Sequence, residues 1–103
     1  MGFLVTIDKK LIDEKYWKGT NYVIVYALDY CTIGICPVVI PDWERKTLYR
    51  TMMNMLETSN SYIVELNDNI VDFYRIKEKD YAVTGHKKFV LLTMFDRNYN
   101  DRH

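Results

Sequence analysis

PDWERKTLYRTMMNMLET, running from Pro41 to Thr58, is the stretch on which the reading of the chain turns. Asp42 stands where an N-cap carboxylate accepts free backbone amides, and Glu44 adds negative charge to the first turn. Leu48, Met52, Met55 and Leu56 then recur at i, i+4, i+7 and i+8, an apolar stripe at helical period with Trp43 beside its start. Arg45, Lys46 and Arg50 lie off the stripe. The pattern predicts one main helix over about Asp42 to Glu57, packed on a sheet built from the segments on either side.

Those flanking segments read as strand and turn. Phe3–Ile7 alternates, and Asp8-Lys9-Lys10 makes a turn. Asp13–Lys18 fits either a strand or one helical turn capped by Asp13 and stopped at Gly19. Tyr22–Tyr30 is apolar on both faces, as an interior strand would be. Ile33–Ile40 is another strand, which Pro37 restricts to an edge or a bulge because proline lacks a ladder donor. After the helix, Ser61–Leu66 and Ile70–Ile76 flank Asn67-Asp68-Asn69 as a hairpin. Tyr81–Val83 and Phe89–Phe95 make a second hairpin through Thr84-Gly85-His86-Lys87. Asp96–His103 is polar and is expected to fray. The fold class expected is α+β, mostly antiparallel.

The 103 residues suffice for one domain, and an apolar share of 49% supplies a core without disulfide or metal staples. Fourteen basic residues balance fourteen acidic ones, so no long-range field draws nucleic acid or a membrane. The apolar runs Tyr22–Leu28 and Phe89–Leu92 fall far short of the ~20 residues of a membrane-spanning helix. The start, MGFLVTIDKK, lacks the basic segment of a secretory signal. A soluble protein of the cytoplasm is expected.

The two ends of the chain echo each other. FLVTIDKKLID (Phe3–Asp13) lies over YIVELNDNIVD (Tyr62–Asp72) with two identities and six conservative pairs. YVIVYALD (Tyr22–Asp29) lies over FVLLTMFD (Phe89–Asp96), both ending in Asp. Two similar strand-rich halves, 3–30 and 62–97, within a single domain over 1–103 would account for this.

Chemistry is harder to find. No phosphate-cradling glycine loop, zinc spacing or nucleophile elbow is present. His86 lies in a turn and His103 is terminal. Cys31 and Cys36 read as buried free thiols, with a local disulfide or metal pair as the alternative. The many aspartates stand at strand ends, where Asp forms turns and caps. Neither catalysis nor a cofactor or metal is expected.

The aromatic residues carry more. Trp43, Tyr49, Arg50 and Met53 on the predicted helix, with Tyr26 and Tyr30 on the strand, have the composition of a protein-binding surface. The expected partner is a protein or peptide, taken as an added strand in a groove between the halves or at an edge such as the Pro37-bearing strand; that edge could instead pair two copies into a dimer. The alternative is a nucleic-acid binder stacking bases on the aromatic Tyr22–Tyr30 face. That strand carries no Arg or Lys, which places nucleic acid second.

The abundance of Tyr, Ile, Lys and Asp, with no Gln and only two serines, resembles small orphan proteins of viruses, especially filamentous viruses of hyperthermophilic archaea. The resemblance covers the whole chain without a specific motif. It implies a non-catalytic protein acting on viral or host proteins in the host cell cytoplasm.

Overall fold

The computed structural model describes residues 2–97. In chain order the elements are β1 (Phe3–Asp8), a 3-10 turn (Lys9–Leu11), α1 (Glu14–Trp17), β2 (Tyr22–Ala27), β3 (Thr32–Cys36), α2 (Pro41–Lys46), β4 (Tyr49–Glu57), β5 (Ser61–Leu66), α3 (Asp68–Tyr74), a second 3-10 turn (Ile76–Glu78), β6 (Lys79–Gly85) and β7 (Val90–Asp96). The fold is α+β. Seven strands, all paired antiparallel, follow the order β1-β5-β4-β2-β3-β7-β6.

This sheet curls into a nearly closed barrel. Its outer strands meet across a seam: the Phe3 and Tyr81 rings pack edge to face with centroids 6.1 Å apart. At the far end of the seam Gly85 lies so close to the first 3-10 turn that a Cβ there would collide with the Leu11 carbonyl oxygen. Period 2 turns Val5, Ile7, Val23, Val25, Ile33, Ile35, Val64 and Leu92 inward, and all are buried. The helices plug the ends. α1 drives fully buried Trp17 into one mouth, where its indole N–H donates to the Lys87 carbonyl and its ring lies against Tyr62. α3 closes the other with Ile70, Val71 and Tyr74, the Tyr74 hydroxyl donating to the carbonyls of Asp29 and Thr32.

The long helix over Asp42 to Glu57 does not form. α2 is six residues, with Pro41 at its first turn and Ile40 as a cap that makes no side-chain bond. Asp42 pairs with Arg45 rather than capping. The helix stops because Thr47 turns extended (φ −71°, ψ 145°) while its hydroxyl hydrogen-bonds the Ala27 and Tyr49 carbonyls, which pins the chain against β2. From Tyr49 on, period 2 replaces 3.6: Met53 and Met55 point into the core while Arg50, Met52, Asn54 and Leu56 point out. The longest helix is instead α3, on the segment expected as the second strand of a hairpin. Asn67 does not turn the chain back; its side chain accepts from the Ile70 amide as an N-cap, which starts a helix.

Four smaller readings are settled. Asp13 caps a single helical turn, and Gly19 ends it with φ +79°. The strand before Pro37 stops at Cys36 and is paired on both sides, so it is no edge. Cys36 is buried, but Cys31 is exposed in the β2–β3 turn. The β6–β7 hairpin forms as expected. Most of the polar tail lies outside the described residues.

The strand order has a symmetry of its own. Each of β1–α1–β2–β3 and β5–α3–β6–β7 is a strand, a helix and a hairpin; the hairpins meet through β3 and β7, and the lead strands β1 and β5 meet each other. Among the described residues α2 and β4 have no counterpart. The echoed blocks Phe3–Asp13 and Tyr62–Asp72 cover the lead strands, which pair about Val5↔Val64, residues that the echo also aligns. The second echo does not follow this order, since it lays the first strand of one hairpin on the second strand of the other.

Candidate functional site

β4 is the longest strand and serves two neighbours. Its Tyr49–Asn54 portion pairs with β2, and its Met55–Glu57 portion pairs with β5. The ladder to β5 stops at Met55↔Val64. Beyond that point β5 runs on beside β1 and gives way to α3, so the two strands fork. The Met55 amide donates to the Asn21 carbonyl, which sets the alternation along β4. Met55, Met53 and Thr51 turn their backbone groups toward β2, and Arg50 and Met52 turn theirs the other way. No strand lies beyond Arg50 and Met52 among the described residues. The sheet therefore contains an unpaired margin inside its own strand order.

Two hollows lie along this margin. One, of about 490 Å³, is lined by Gly2, Met53, Asn54, Glu65, Leu66 and Asp68 among others. The second, of about 250 Å³, lies between the start of β4 and α3, lined by Ala27, Leu48, Tyr49, Asn69, Ile70 and Phe73. Its rim is apolar and open to solvent: Leu48 is 51% exposed, Tyr49 42% and Phe73 50%. Tyr30, 74% exposed, stacks on the Phe73 ring at 5.9 Å.

The six residues expected to bind a partner divide accordingly. Tyr49 lines the smaller hollow, Arg50 is on the unpaired margin, and Tyr30 extends the aromatic rim. Met53 faces the core at 6% exposed, on the floor of the larger hollow. Tyr26 and Trp43 belong elsewhere. Tyr26, on the outer face of β2, and Trp43, on α2, pack together in a small second core with Ile24, Cys36 and Phe89. Tyr26 is fully buried, and its hydroxyl donates to Glu44, which also pairs with Arg50 at 3.3 Å. Burial, reinforced by that bond, pushes the Tyr26 hydroxyl up to about 12. Burial likewise pushes the Cys36 thiol up to about 12, so it stays a neutral core group at ordinary pH. With Tyr26 covered, Tyr22 to Tyr30 offers no continuous aromatic platform.

Residues that the sequence did not single out complete the site: Leu48, Glu65, Asp68, Ile70 and Phe73. For Asp68, Ile70 and Phe73 the signal is Asn67-Asp68-Asn69 read as a capped helix start; Leu48 and Glu65 carry no such signal. Among the described residues no group of three His, Cys, Asp or Glu is placed to hold a metal ion, and no helix is long and apolar enough to cross a membrane. Comparison with protein-family models, curated proteins and solved structures gives no match.

Proposed function

We propose that this chain is a non-catalytic protein-interaction module that takes an extended peptide of a partner as an added strand on β4. The observation supporting it is the fork: a strand margin over Tyr49–Asn54, paired on one side only and bordered by two hollows on the other. Strand addition draws its affinity from main-chain hydrogen bonds and its selectivity from pockets for alternate side chains, and the fork supplies both. Six residues at ~3.3 Å per residue give a docking length of about 20 Å, enough for a peptide of five or six residues.

Proline scanning of β4 against an array of capped octapeptides tests this. Met52→Pro removes an amide that faces the gap and costs no bond to β2, so the variant should keep its circular dichroism and lose peptide capture. Thr51→Pro removes an amide that faces β2 and should unfold the domain. Capture by Met52→Pro equal to that by the unaltered protein, or no capture by either, refutes the reading.

A further inference from the structure

Resting on the strand-addition reading, we propose that the preferred peptide is bipartite, with a Lys or Arg at one position and a large aliphatic or aromatic residue four positions away. The two hollows differ in chemistry, and that difference carries the inference. The smaller one is walled by the carbon of Ala27, Leu48, Tyr49, Ile70 and Phe73, with Asn69 the one side-chain amide among the described residues. A polar side chain placed there would lose its water without gaining partners. At about 250 Å³ it is below the range of small-molecule sites and suits one large side chain.

The larger hollow carries two carboxylates, Glu65 and Asp68, and no Lys or Arg among the described residues lines it. Glu65 uses one oxygen to accept the Gly2 amide at 3.3 Å, which leaves the other free. The Asn67 side-chain oxygen accepts from the Ile70 amide. A cation in the peptide would meet the two carboxylates there, and an anion would be repelled. The hollows border opposite ends of the same margin, one beside Tyr49 and the other beside Met53 and Asn54. That distance is about four residues of strand, and residues four apart share a face.

The test uses capped octapeptides of Ser, Thr and Val carrying Lys and Leu at positions three and seven, in both orders, with Lys→Glu and Leu→Ala counterparts. Binding is read by fluorescence polarisation at low and high salt. One order should bind. Leu→Ala should weaken it about tenfold or more, and Lys→Glu by about fivefold or more at low salt, with the second difference shrinking at high salt. In the Glu65→Gln/Asp68→Asn protein the Lys and Glu peptides should bind alike. Equal binding of both by the unaltered protein overturns the proposal. So does the pattern in which neither Lys–Leu peptide binds while other array peptides do so in a Met52-dependent way; strand addition then survives and its chemistry is wrong. If no peptide binds, or if the protein forms a dimer that Met52→Pro dissolves, the underlying reading fails with it, the margin in the second case belonging to a second copy of the chain.

Discussion

At the scale of single residues, the outer core beneath α2 depends on an absent side chain. A Cβ at Gly34 would come 2.6 Å from the Trp43 ring and 3.0 Å from Leu28, so the indole rests directly on the β3 backbone. Gly34→Ala should cost about 1–3 kcal/mol by overpacking, read as a lower urea midpoint with red-shifted Trp43 emission; an unchanged midpoint would show the ring free to move aside. Cys36 and Tyr26, in the same cluster, contribute to the alkaline limit, as do the buried hydroxyls of Tyr74 and Tyr62. Cys36 and Tyr26 are both acids whose folded pKa is raised, so the folded state holds them neutral where the unfolded chain would ionise them. Their contribution is complete below the ordinary thiol value of 9.0 and is lost as pH rises toward about 12. Melting temperature should therefore fall between pH 9 and 11, and less steeply in Cys36→Ala. Parallel profiles for the two proteins would remove the thiol from this explanation.

At the scale of elements, α3 is held by its ends. Asn67 caps it, and Arg75 terminates it in the left-handed region at φ 55°. Asn67→Ala should cost about 1 kcal/mol in chemical denaturation while Asn67→Asp costs little, a contrast that vanishes if the cap is immaterial. This helix and β4 also show where the sequence was legible and where it was not. β2, buried on both faces, carries its apolar pattern openly, and so does the β6–β7 hairpin. Met52-Met53-Asn54-Met55-Leu56 fits both periods, because apolar residues crowd every offset; what decides for strand is Thr47, held by the Ala27 carbonyl twenty residues away. Asn67-Asp68-Asn69 suits a turn as well as a cap, and the choice fell to Ile70, Val71 and Tyr74 filling the barrel mouth. The candidate site was half visible. Tyr49, Arg50 and Tyr30 were named on composition, but the fork that gives them a role is a matter of which strand runs beside which.

At the scale of the whole molecule, two strand–helix–hairpin units enclose one core, and β4 is the strand without a counterpart. It completes the sheet beside β2, and the fork where it leaves β5 is the opening that the proposed function uses. The outer strands β1 and β6 also lack a second partner among the described residues and approach each other at the Phe3–Tyr81 seam. The most direct test of this account is amide hydrogen exchange along β4, read by NMR without and with a captured peptide. The amides of Thr51, Met53 and Met55 should exchange slowly throughout. Those of Arg50 and Met52 should exchange fast in the free protein and become protected when the peptide is bound. Slow exchange of all five in the free monomer, or fast exchange of Arg50 and Met52 that the peptide leaves unchanged, would contradict the claim that β4 has a margin waiting for a strand.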